Sequence, residues 1–256
     1  VTPSAAGGLE LSARDRQVLQ ATADLRLITG GQLMRLVFRA PAATSHNARI
    51  ARRCLQRLTA TGLLWRLERR VGGIRAGSSS YVYALSPAGG RALGEATSRG
   101  RSREPSLTFQ DHTLTVSEIY VQLFEHHYLH PFEELVVETE PSCWRSLDDG
   151  SGGILKPDLL VTAITPDEER WLYIEVDRGT EHIAAIQRKV ALYRAHQRSG
   201  REQARLGGFP AVLWLVPNQH RATQLRRYLE PANREQRGLH TVAIEGDVIK
   251  QLTERR

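Results

Sequence analysis

Lys156-Pro157-Asp158-Leu159-Leu160-Val161-Thr162-Ala163-Ile164, followed by Trp171-Leu172-Tyr173-Ile174-Glu175-Val176-Asp177, decides how the second half of the chain reads. Both runs are apolar and rich in β-branched or aromatic residues, the pattern of strands buried on both faces. Pro166-Asp167-Glu168-Glu169 between them reads as the turn that joins them. Into this apolar background the sequence sets three carboxylates. Asp158 heads the first strand, and Glu175 and Asp177, two apart in the second, fall on one side of the sheet because strand side chains alternate. Three oxygen donors on adjacent strands suit a hard divalent cation such as Mg2+ or Mn2+, which prefers oxygen and keeps several waters. Such an ion activates water and steadies charge on a phosphodiester.

Working outward, the region from Asp111 to about His130 predicts a helix with a broad apolar face of Leu114, Ile119, Val121, Leu123 and Phe124. Leu135 to Glu140 reads as a further strand. After Asp177, a helix from about Thr180 to His196 packs through Ile183, Ile186 and Val190, and strands at Ala211 to Val216 and Leu239 to Ile244 flank a helix from Gln219 to about Leu229. The order is αβββαβ with an αβ extension, an α/β domain around a mixed central sheet. His126-His127-Tyr128-Leu129-His130 is read as a polar helix end rather than a metal site. No Gly-rich phosphate loop occurs, which argues against nucleotide hydrolysis.

The first half reads differently. Ser12 caps a first helix with Asp15 three residues on, Thr29 caps a short second one, and Thr44 or Ser45 opens a third that Gly62 stops. Ile50, Cys54, Leu55 and Leu58 share one face of the third helix, and Asn47, Arg49, Arg52, Arg53 and Arg57 the other. Leu63 to Arg70 and Ser80 to Leu85 read as strands around the Gly- and Ser-rich turn Gly72 to Ser79, a hairpin that places Arg69, Arg70 and Arg75 against phosphate. Three helices and a hairpin follow the winged helix-turn-helix plan, whose recognition helix enters the major groove. The whole chain is therefore α+β: a winged-helix domain at 1–95, a linker at 96–106 and an α/β domain at 107–256.

Charge follows the same division. The chain carries 35 basic and 28 acidic residues, a net of +7. Its first 105 residues hold a net of +11 and the remainder −4. A basic half favours a polyanion, because Lys and Arg displace the counterions condensed on phosphate. At 41% hydrophobic and 25% charged the chain can bury real cores, which excludes a disordered protein. No run approaches the roughly eighteen apolar residues of a bilayer span, nothing at Val1 to Gly8 resembles a signal peptide, and two cysteines, Cys54 and Cys143, make no disulfide framework. The expected location is cytoplasmic.

Pro157-Asp158 and Glu175-Val176-Asp177 on an αβββαβ scaffold resemble the PD-(D/E)XK nuclease superfamily. Joined to a winged helix, to Arg178-Gly179-Thr180-Glu181 and to Lys189 with Tyr193 four residues on, they resemble the replication-relaxation family of plasmids and integrative conjugative elements over roughly residues 10 to 200. The resemblance implies a relaxase or replication-initiation protein that recognises double-stranded origin DNA and nicks it with Mg2+ or Mn2+. Asp158, Glu175 and Asp177 are then the metal ligands. The superfamily places lysine where this chain has Asp177, so Lys189 on the next helix is assigned the missing charge, with Lys156 as the alternative. His112 and Glu118 precede the sheet where that superfamily often adds a carboxylate, and are auxiliary candidates. A non-catalytic regulator with a degenerate nuclease-like domain is the competing reading. A homodimer and other replication or transfer proteins are the further partners considered; a membrane is not.

Overall fold

A computed structural model describes residues 10–39, 45–67, 81–94, 105–147, 153–179, 181–236 and 238–254. The chain divides into two compact units, Val1–Ser106 and Leu107–Arg256. The predicted Arg69, Arg70 and Arg75 contacts, the turn from Gly72 to Ser79 and most of the predicted linker lie outside the described residues.

In the first unit, α1 (Ala13–Leu25), β1 (Ile28–Thr29), α2 (Gly30–Val37), α3 (Ser45–Ala60), β2 (Leu64–Arg66), β3 (Val82–Leu85) and α4 (Pro87–Ala92) follow in order. Capping boxes form at both expected places, Ser12 with Asp15 and Thr29 with Gln32, because each side chain satisfies a backbone N–H that the first helical turn leaves unpaired. Cys54, Leu55 and Leu58 of α3 are buried, as their spacing requires. The small antiparallel sheet runs β1-β3-β2; β1 is a two-residue strand that sequence periodicity cannot show. Gly89 in α4 lies against the loop before β2: a Cβ there would stand 2.3 Å from the Leu63 carbonyl oxygen.

The second unit holds α5 (Leu107–Leu129), β4 (Glu134–Thr139), β5 (Arg145–Ser146), β6 (Ile154–Leu155), β7 (Leu159–Ile164), β8 (Glu169–Val176), α6 (Ile183–Ser199), α7 (Arg201–Leu206), β9 (Ala211–Val216), α8 (Gln219–Glu235), β10 (His240–Ile244) and α9 (Val248–Thr253). The five-stranded sheet runs β10-β9-β8-β7-β4, antiparallel from β4 through β8 and parallel from β8 to β10. It is the expected mixed sheet. Ile186, Tyr193, Ala222, Leu225 and Leu229 pack α6 and α8 on one face, while Ile119, Leu123, Val248 and Leu252 pack α5 and α9 on the other. Buried on both sides, β7, β8 and β9 are the continuous apolar runs of the sequence.

Several boundaries differ. The helix after β8 starts at Ile183 rather than Thr180, and Ile183 is 40% exposed instead of facing the sheet. β8 ends at Val176, one residue before Asp177. α8 continues past Leu229 through Pro231; α7, α9 and the β5–β6 pair are too short for a periodic signal.

The outer edge of β10 is covered by α8. On the inner side the Leu239 carbonyl accepts from the Val212 N–H. The outward backbone of His240 is met by the Asn233 amide, which accepts from His240 N at 2.8 Å and donates to His240 O at 2.8 Å. Arg226 donates to Val242 O at 2.9 Å.

Candidate functional site: a buried carboxylate cluster

Asp158 precedes β7, and its backbone N–H donates to Ile174 O on β8 at 3.0 Å, which locks it beside the end of that strand. Its Oδ2 accepts from Val176 N at 2.7 Å, and its Oδ1 lies 2.9 Å from His112 Nε2 on α5. Burial opposes protonation of His112, but the bond to Asp158 outweighs it and raises the imidazole above its ordinary value. The Cys143 thiol closes the loop behind, donating to Pro157 O at 3.1 Å.

Glu175, 1% exposed on β8, accepts from Lys189 Nζ at 2.7 Å and from Tyr193 Oη at 2.7 Å. Lys189 and Tyr193 sit one turn apart on α6 and so present side by side to one carboxylate. Burial pushes Glu175 up to about 7 against the pull of Lys189, and the neighbouring Asp158 adds to the rise. Burial works against the Lys189 cation, yet Glu175, Asp158 and Glu181 outweigh it and hold the ammonium charged. Glu181 meets Lys189 through Oε1 at 2.8 Å, while its Oε2 is buried with no hydrogen-bond partner among the described residues.

Asp177 has partners of its own, distinct from those of Asp158 and Glu175. Its N–H donates to Leu215 O, and the chain then turns at Gly179, whose φ of +79° is open to glycine. Asp177 Oδ1 accepts from Gly179 N at 2.7 Å and Oδ2 accepts from Arg221 Nε at 2.8 Å. Strand alternation points Glu175 and Asp177 toward the same helical layer, but α6 takes the first and α8 the second. Among the described residues, no group of three or more His, Cys, Asp or Glu side chains converges as a metal cage.

The remaining candidates separate. Lys156 is exposed, its Nζ 4.5 Å from the centre of the Trp144 ring. Glu118 accepts from Gln122 on its own helix at 3.2 Å. His127 accepts from Phe132 N at 3.2 Å, which ties the histidine-rich end of α5 into its turn. On α3, Arg49, Arg52 and Arg53 are exposed and Asn47 is half-buried, whereas Arg57 turns back to pair with buried Asp15 on α1. Burial raises the Asp15 carboxyl, but Arg57, Ser12 and Cys54 together hold it below the usual range. Glu181 and Arg221 were missed as site residues: Glu181 was visible inside the quoted motif, but nothing in sequence pairs Arg221 with Asp177.

Fold and site together define an α+β protein of two units, the second carrying an Asp–Glu–Lys cluster at the ends of its central strands. The sequence model of the replication-relaxation family matches residues 19–212, and the chain belongs to that family. Membership points to a role in the replication or relaxation of mobile elements. No curated protein and no solved structure matches. Among the described residues no helix is long and apolar enough to cross a membrane.

Proposed function

We propose that the protein binds origin DNA of a mobile element through its first unit, acting as a winged helix, and nicks that DNA at the Asp158–Glu175–Lys189 cluster in the manner of a PD-(D/E)XK nuclease. The observation that carries this reading is the reach of Lys189 from α6 to within 2.7 Å of Glu175, beside Asp158. A charge absent at position 177 is thus supplied from the next helix.

The donor set fits Mg2+ or Mn2+ at two carboxylates, Asp158 and Glu175, with Asp177 excluded by its clasp to Arg221. Such ions do not need an all-protein cage, since water and substrate phosphate complete the shell. The buried, unpartnered Oε2 of Glu181 is a further acceptor in the same place. When bound, the ion would polarise the phosphodiester and lower the pKa of attacking water. Lys189 then holds positive charge against a phosphate oxygen, with Tyr193 fixing the orientation of Glu175 and His112 that of Asp158. On α3, Asn47, Arg49, Arg52 and Arg53 meet the duplex.

A non-catalytic DNA-binding regulator is the second reading. It is favoured by one observation: every oxygen of Asp158 and Glu175 already faces a group of the protein itself. Supercoiled plasmid carrying the element's origin, incubated with Mg2+ or Mn2+, separates them. Nicked circles from wild type, reduced about 10²- to 10³-fold by Lys189→Ala at unchanged DNA affinity, support the nuclease. Binding without nicking under either metal leaves the regulator.

A further inference from the structure

The unit Leu107–Arg256 has a net charge of −4, but its charges are sorted by layer. Helix α6 carries Arg188, Lys189, Arg194 and Arg198 and no Asp or Glu. Helix α5, on the opposite face of the sheet, carries Asp111, Glu118 and Glu125 and no Lys or Arg. Helix α8 adds Arg221, Arg226, Arg227 and Arg234 to the α6 side, against Glu230 and Glu235. The two helices lie side by side. Arg221 donates to Glu181 O ahead of α6, Arg194 pairs with Glu235, and Gln236 donates to Gln197 near their C-terminal ends.

We infer that this α6–α8 face is a second binding surface for duplex DNA, holding the phosphate backbone without reading sequence. Arg188, Arg198 and Arg227 are exposed, and none has a carboxylate partner among the described residues. Arg188 Nε bonds the Ala184 carbonyl of its own helix, which fixes the stem and leaves the charge unneutralised. Arg188 and Arg198 stand roughly 15 Å apart along the helix, so they reach separate phosphates. Helix α5 behind carries acidic residues and no Lys or Arg, so charge favours a polyanion on the α6–α8 face over the α5 face. Lys189 belongs to the same helix, which puts the surface next to the carboxylate cluster.

The inference rests on the reading of the protein as a DNA-binding one, and the test keeps the two apart. In the full chain, Arg188→Ala/Arg198→Ala/Arg227→Ala is compared with Arg49→Ala/Arg52→Ala/Arg53→Ala for binding of origin and scrambled duplexes over a salt series. Each lost phosphate contact lowers the slope of log K against log salt by about 0.9. The α6–α8 variant is expected to lose about 2 to 3 units of slope equally on both duplexes, and the matching lysine variant to keep them. A wild-type slope in the alanine variant overturns this surface, while loss of affinity in the α3 variant leaves the proposed function standing. With single strands of the origin sequence as a third arm, a loss confined to them overturns the duplex assignment, and failure of wild type to bind any duplex overturns both.

Discussion

Arg221 holds Asp177 through two nitrogens, Nε at 2.8 Å and Nη2 at 2.7 Å from the same Oδ2, and only 1% of the carboxylate side chain is exposed. Removing one member of such a pair strands the other's charge away from water. Asp177→Ala is therefore expected to cost about 3 kcal/mol, by the same amount with or without Mg2+. Urea midpoints at several Mg2+ concentrations check it; a difference that grows with the metal would make Asp177 a ligand after all.

Arg57 and Arg53 lie four residues apart on α3 and are expected to behave oppositely. Arg57 braces Asp15, so Arg57→Ala should lower stability by about 1 to 3 kcal/mol and leave the salt slope alone. Exposed Arg53 should do the reverse, with stability within about 0.5 kcal/mol and a slope lower by about 0.9. Thermal melts and salt titrations on both variants decide the matter.

His240 gives the fold an acid-sensitive point. Burial pushes its imidazole from 6.5 down to about 4, with Arg194 adding to the fall, while Trp214 donates to its Nδ1. The unfolded chain takes up this proton more readily than the folded one, so the contribution is complete above pH 6.5 and fades as pH falls through 4. On lowering the pH across that window, the urea midpoint of His240→Gln should change in the stabilising direction relative to wild type, because the variant lacks this proton-linked loss. Identical profiles would show that another group governs acid unfolding.

Gly89→Ala normally stabilises a helix by up to about 1 kcal/mol. Here the added Cβ meets the Leu63 carbonyl oxygen at 2.3 Å and Leu85 Cδ1 at 2.7 Å, and backbone cannot yield as a flexible side chain does. The net expectation is a loss of about 2 to 3 kcal/mol, read as a lower melting temperature. A melting temperature at or above wild type would refute the close packing.

Strands β7, β8 and β9 were legible because burial on both faces leaves an uninterrupted apolar run, and α1 and α2 because their caps are local chemistry. Asp158 and Glu175 were legible for the converse reason, being carboxylates where the pattern demands apolar residues. The fate of Asp177 was hidden. Alternation gives the side of a sheet on which a residue lies, but its partner Arg221 comes from a helix 44 residues later. Arg57 was legible in part: helical spacing set it on the arginine face, where its side chain remains 46% exposed, but its pairing with the buried Asp15 on another helix is not written in that spacing.

The Asn233 side chain stands in for a neighbouring strand one residue long. It offers β10 the donor and acceptor that a sixth strand would offer, and Arg226 occupies the next carbonyl. Sheets with a bare edge recruit extended segments from other molecules, a route to aggregation. With both backbone groups of His240 and the carbonyl of Val242 already engaged, this stretch of the border offers a newcomer less to bond, so Asn233→Ala should make self-association rise more steeply with concentration than it does in wild type.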